Sequence, residues 1–186
     1  FDDEYYHNMT WAHLASGGAG TGLRWPCRNP HHLTPGMHAT QRGMARFCSH
    51  IDWAHFPAQP LDHALRVVTE PVGYEYQGGI PRLTVLPLLP ARAYGMSDGQ
   101  TGFLWVVRDS RAIGPAEPLD APMVIGTGWD HGWYDVEFYH PASGERTGGA
   151  EIYVWPPPQD TSLGTALRIP LPLDGPDLAL IIRKRA

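Results

Sequence analysis

The stretch Arg24-Trp-Pro-Cys-Arg-Asn-Pro-His-His32 gathers the side chains best suited to chemistry. Trp25 offers a flat ring with an apolar face, the surface on which the apolar side of a pyranose stacks. Arg28, Asn29, His31 and His32 can each donate hydrogen bonds to hydroxyls, and one or two of the four are expected to do so. Arg24 alternates with Trp25 in an extended chain, so the two side chains point to opposite sides. Facing inward, Arg24 needs a carboxylate or a sugar hydroxyl; facing outward, it pairs with a neighbouring loop.

Other chemistries fit these residues poorly. His31, His32 and His38 raise the idea of a metal site, but ligands must converge and usually include a carboxylate or a third close His. Thr34-Pro35 starts a helix between them, so no metal or other cofactor is expected. Cys27 and Cys48 form neither a zinc pattern nor a disulfide framework. Cys48 stands about thirteen residues along that helix, on the order of 20 Å from its start, so both are expected as free thiols. The glycines from Gly17 to Gly22 precede a strand pattern, the wrong context for cradling a phosphate. No Ser-His-Asp order stands out.

The totals narrow the field further. Seven Trp and eight Tyr suit sugar binding, though cores and interfaces use the same rings. A net charge of -5 with 14 Lys+Arg argues against a nucleic-acid surface. Arg183, Lys184 and Arg185 read as a solvated strand end. No run of about 20 apolar residues marks a membrane span. At 42% hydrophobic and 18% charged, the chain can build a packed core.

The elements that must position these residues change character near Pro60. A helix is expected from about Asp3 to Ser16, capped by Asp2 or Asp3, with Tyr5, Met9, Ala12 and Ala15 recurring at helical spacing and Tyr6 and Trp11 to the sides. Gly17 and Gly18 stop it. Thr21 to Trp25 reads as a very short strand ended by Pro26, and residues 27–33 as a loop. Thr34 caps a second helix with Pro35 in its first turn. Met37, Met44, Phe47, Cys48 and Ile51 form its buried stripe, and it ends near Asp52-Trp53. A lone strand between two helices cannot cover their faces. Residues 1–60 are therefore expected to be completed by an upstream portion of the same protein or by a partner chain.

From residue 61 to 186 the pattern is all-β. Strands are expected at His63–Thr69, Leu83–Tyr94, Gly102–Asp109, Pro122–Gly126, Trp133–Tyr139, Gly149–Trp155, Thr165–Pro170 and Asp177–Arg183. Turn signals separate several of them, and the spacing suits an antiparallel β-sandwich. In Trp133–Tyr139, Tyr134, Val136 and Phe138 share one face, while Asp135, Glu137 and the flanking rings share the other. Trp105 and Trp155 are expected in the core. Trp129-Asp-His-Gly-Trp133 reads as an aromatic turn, either a glycan-binding patch or a packed end of the sandwich.

The run Trp11-Ala-His-Leu-Ala-Ser-Gly-Gly-Ala-Gly-Thr-Gly-Leu-Arg-Trp25 resembles the end of the barrel in clan-A (β/α)8 glycoside hydrolases. There a helix ending in small residues leads into strand eight, whose terminal Trp floors the sugar site. Phe103–Asp109, Tyr134–Glu145 and Asp177–Arg183 resemble the sandwich that often follows such barrels. The resemblance implies α/β plus all-β architecture: the last βα unit of a TIM barrel, then an antiparallel sandwich. It implies a carbohydrate substrate, with Trp25 as a stacking platform and Arg24, Arg28, Asn29, His31 and His32 at the cleft. It also implies that the catalytic Glu pair lies upstream, since clan-A barrels carry the two acids at the ends of strands four and seven, and a whole barrel needs about 250 residues. Asp2, Asp3 and Glu4 are expected as helix-capping residues. The alternative is a non-catalytic carbohydrate-binding or structural sandwich module.

Overall fold

The computed structural model describes residues 2–18, 33–56, 59–61, 65–69, 74–77, 80–83, 91–108, 122–155 and 166–186. Helix α1 spans Asp2–Ala15. Gly17 ends it at φ +86°, and the Gly18 amide reaches back to the His13 carbonyl at 2.8 Å. That hydrogen-bonded stop uses the left-handed conformation glycine adopts without strain. Helix α2 spans Pro35–Cys48, and the Thr34 hydroxyl accepts the Met37 amide at 3.1 Å. It ends sooner than expected. The Ser49 hydroxyl donates to the Arg46 carbonyl at 2.7 Å, and the Trp53 indole N–H donates to the Cys48 carbonyl at 2.9 Å. One turn of 3-10 helix, Trp53–His55, follows.

The two helices lie side by side and run in the same direction. Asp3 meets Thr34, Tyr6 meets Gln41, His7 meets Thr40, and the Trp11 ring meets Phe47 at 5.1 Å. The ends joined by their connection, Gly18 and Leu33, therefore sit at opposite ends of the pair, about 20 Å apart at 1.5 Å per helical residue.

Eleven strands follow among the described residues: β1 Gln59–Pro60, β2 Leu65–Thr69, β3 Tyr74–Gln77, β4 Ile80–Leu83, β5 Ala91–Ser97, β6 Thr101–Arg108, β7 Pro122–Thr127, β8 Gly132–His140, β9 Glu145–Val154, β10 Ala166–Pro170 and β11 Asp177–Lys184. The expected Leu83–Tyr94 strand overlaps the end of β4 and the start of β5, with residues 84–90 outside the described ones, and β3 lies beyond the expected strands. A six-stranded sheet has the order β1-β5-β6-β11-β8-β9, a three-stranded sheet β10-β7-β2, and β3 pairs with β4. Every pairing is antiparallel.

Alternation along the strands gives the larger sheet two different faces. Its inner face (Leu104 and Val106, Tyr134, Val136 and Phe138, Leu178, Leu180 and Ile182) packs on Leu65, Val67, Val124, Leu167 and Ile169 of the smaller sheet. The two antiparallel sheets thus share one core, and with the two helices the fold is mixed and sheet-rich. On its outer face Phe103, Trp105, Tyr139, Ala179 and Ile181 form a second core with Trp11, Leu14, Ala15, Met44 and Phe47.

That second core corrects one premise. The helices of residues 1–60 do have a sheet to cover, and the chain's own sandwich provides it. The seated stripe of α1 differs in part from expectation: Ala15 is buried as expected, together with Tyr6, Thr10, Trp11 and Leu14, whereas Tyr5 is 53% exposed and Met9 and Ala12 are half-buried. Trp11, fully buried in the helix–sheet core, outweighs the smaller residues of the expected stripe, because buried aromatic area dominates such contacts. In α2 the expected Met37, Met44 and Phe47 are buried, with Thr40 and Gly43 beside them. Gly43 is where α2 touches the turn between β8 and β9: a Cβ there would lie 2.4 Å from the Pro141 carbonyl oxygen.

Candidate functional site

Arg24, Trp25, Arg28, Asn29, His31 and His32, with the short strand expected at Thr21–Trp25, lie outside the described residues. Cys27 does too. Cys48 is a free thiol in the helix layer, and burial pushes it up to about 11.

Two polar assemblies stand out among the described residues. The first is closed. His7 Nε2 lies 2.6 Å from Asp177 Oδ2, and its Nδ1 lies 3.1 Å from the Thr40 hydroxyl. The Trp105 indole N–H donates to the same Asp177 oxygen at 2.8 Å. With Nε2 protonated, Nδ1 accepts from Thr40, so hydroxyl, imidazole and carboxylate stand in line. The order resembles that of a nucleophile, its base and an orienting acid. Thr40, however, is only 4% exposed, which leaves a substrate no approach. The assembly ties α1, α2, β6 and β11 together. Sequence order concealed it, because its members are 33 and 170 residues apart.

The second is open and lies on the outer face of β8 and β9, beyond the helices. Trp133 and Tyr153 are cross-strand partners, with ring centroids 5.2 Å apart and planes at 63°. Tyr153 meets Trp155 at 4.8 Å and 74°. Trp133 is 51% and Trp155 73% exposed. Trp155 is thus not a core residue. The pattern of β9 contains the reason: Ile152 and Val154 face the inner core, so Tyr153 and Trp155 must share the outer face with Glu151. The aromatic turn divides in the same way. Trp129 is 1% exposed and packs in the sandwich core, while Trp133 faces out.

Next to the rings runs a groove of about 510 Å³, bordered by Asp135, Glu137, Glu151, Arg146 and Arg183. Gly149 stands opposite Glu137 and adds no side chain to fill it. Arg183 Nη1 donates to Glu137 at 2.7 Å, Arg146 approaches the same carboxylate at 3.4 Å, and Arg185 pairs with both Asp135 and Glu151. Burial opposes ionisation of Glu137, but hydrogen bonds from Arg183 and Tyr139 and the charges of Arg183 and Arg146 outweigh it, so its carboxyl sits below its ordinary value. Arg185 holds Asp135 low by hydrogen bonding and charge. A general acid needs the opposite shift. These carboxylates can accept hydrogen bonds from hydroxyls but are badly placed to give a proton to a leaving group.

A smaller cleft of about 270 Å³ lies where the chain leaves α2, between His50, Asp52, His55 and Phe56 on one side and Asp98, Thr101 and Arg183 on the other. Arg183 Nη2 donates to the His50 carbonyl at 2.7 Å, so one guanidinium separates cleft from groove.

Among the described residues no cluster of three or more His, Cys, Asp or Glu side chains is arranged to hold a metal ion, and no helix is long and apolar enough to cross a membrane. Comparison with family models, curated proteins and solved structures returned no match.

Proposed function

We propose that this chain is the glycan-contacting C-terminal segment of a glycoside hydrolase, with the catalytic Glu pair outside it. The observation that carries the reading is the exposed run Trp133–Tyr153–Trp155 beside a groove of hydrogen-bonding side chains. Apolar rings for pyranose faces and polar groups for hydroxyls are the two things a sugar site must combine. Trp25, with Arg24, Arg28, Asn29, His31 and His32, is proposed to add a second contact at the active-site cleft.

The barrel part of the proposal has its own support. Neighbouring parallel helices need a connection that travels back along their length, and a strand between helices supplies that path in a (β/α)8 barrel. Helix α1 also leaves Tyr5 exposed and Met9 half-buried, apolar surface outside the helix–sheet core. In this proposal that surface covers the barrel strands upstream, and residues 1–60 are the last βα unit.

Two measurements test the reading. Affinity electrophoresis through gels containing soluble glycans should retard the chain, and Trp133→Ala with Trp155→Ala should abolish the retardation; unchanged mobility in every gel rejects it. Chromogenic glycosides should be hydrolysed only when the upstream portion is present, and turnover by the 186-residue chain alone rejects the division of labour. A second reading, a purely structural brace, is favoured by the helices sealing half of the outer face; it predicts no glycan retardation.

A further inference from the structure

We infer that the open face of β8 and β9 takes a single uncharged, soluble glycan chain, and takes neither a crystalline polysaccharide surface nor a polyuronate. The inference rests on the glycan-binding reading above and adds the ligand class.

Ring geometry decides the first half. A crystal face is flat, so the rings that lie on it must share a plane. Tyr153 is inclined 63° to Trp133 and 74° to Trp155, and it separates them. No two neighbouring rings of the run can touch one plane with their faces. A single chain can twist about its glycosidic bonds and meet each ring in turn. The run also opens into the groove. From Trp133 to Glu137 the strand advances about 13 Å at roughly 3.3 Å per residue, which adds room for several pyranose rings past the aromatics.

Charge decides the second half. Three carboxylates, Asp135, Glu137 and Glu151, face three guanidiniums, Arg146, Arg183 and Arg185, and every one is paired within the set. A polyuronate would have to break those pairs to reach a guanidinium and would meet the carboxylates at once. A neutral chain needs no such exchange. Its hydroxyls can donate to the carboxylate oxygens and accept from the remaining guanidinium N–H groups.

The experiment uses the 186-residue chain with three sets of probes. The first set is soluble glucomannan, mixed-linkage β-glucan, xylan and xyloglucan; the second is microcrystalline cellulose and crystalline chitin; the third is polygalacturonate and alginate. Retardation by at least one first-set glycan is expected, nearly unchanged between low and high salt because a neutral ligand is not screened. Trp155→Ala should weaken it tenfold or more, Trp155→Tyr should restore much of it, and circular dichroism should match the parent for both. Depletion onto the crystalline probes, or salt-sensitive polyuronate binding stronger than any neutral binding, overturns the inference while leaving the glycan-binding reading intact. Failure to bind any probe overturns both.

Discussion

The outer face of the six-stranded sheet is one surface with two fates. Where α1 and α2 lie on it, the outward positions of β6, β8 and β11 are Phe103, Trp105, Tyr139, Ala179 and Ile181. Two residues further along β8 and β11 the same alternation brings out Glu137 and Arg183, then Asp135 and finally Trp133. The covered half is held by burial, and its largely buried polar groups, His7, Thr40, Asp177 and Trp105, satisfy one another. The open half is held by ion pairs that water screens, and its rings add contact area that the fold does not need. Large apolar groups left outside a core mark a binding surface more securely than aromatic content does.

The contrast can be broken most forcefully at Phe47, which is fully buried and packs against Trp11, Phe103 and Tyr139. Phe47→Ala should cost about 3–5 kcal/mol, measured as a lowered urea midpoint; a loss as small as that of an open-face substitution would deny the helix layer its role. Next in size, Asp177→Ala leaves the His7 and Trp105 N–H groups without their acceptor and should cost about 1–3 kcal/mol. Gly43→Ala forces α2 off the turn after β8 and should cost about 1–3 kcal/mol, with Arg46 losing its 3.3 Å bond to the Ser143 carbonyl.

Changes on the open half should be small by the same measure. Glu137→Gln removes the hub of two ion pairs and should cost less than about 1 kcal/mol after screening. The pH dependence has a definite sign. Glu137 is depressed in the folded state, so its contribution is present above its unfolded value of about 4.3 and is lost as pH falls through its lower folded value. Titration of unfolding midpoints from pH 7 to 3 should show the parent losing more stability than Glu137→Gln below about pH 4.3. Parallel curves would remove Glu137 from the account. Smallest of all, Trp155→Ala should shift stability by no more than about 0.5 kcal/mol, while weakening glycan retardation tenfold or more.

Much of the sandwich was legible because two-residue alternation is unambiguous where one face is buried, as Tyr134, Val136 and Phe138 show. The start of α2 was legible because Thr34 and Pro35 act locally. Three things were not. Trp155 was assigned to the core although its alternation with Ile152 and Val154 places it outside. The stripe of α1 was partly misplaced because that helix carries apolar residues on two sides, and periodicity cannot tell which side meets which partner. The His7–Asp177 tie joins the first helix to the last strand, and no local pattern signals such a pair. Of the site expected from sequence, Arg24 to His32 fall outside the described residues, while the rings at Trp133, Tyr153 and Trp155 emerged from strand pairing.

The position of β11 has a consequence for how the molecule is made. Among the described strands it is the last to be synthesised, yet it sits between β6 and β8, with Leu178 to Ile182 all buried and Ala179 and Ile181 forming part of the helices' seat. Neither the sheet nor the resting place of α1 exists until Lys184 has emerged from the ribosome. The early segments must wait unassembled, a long-range closure that slows folding. Chains broken off before Asp177 should be substrates for chaperones and proteases, whatever their first hundred residues could form alone.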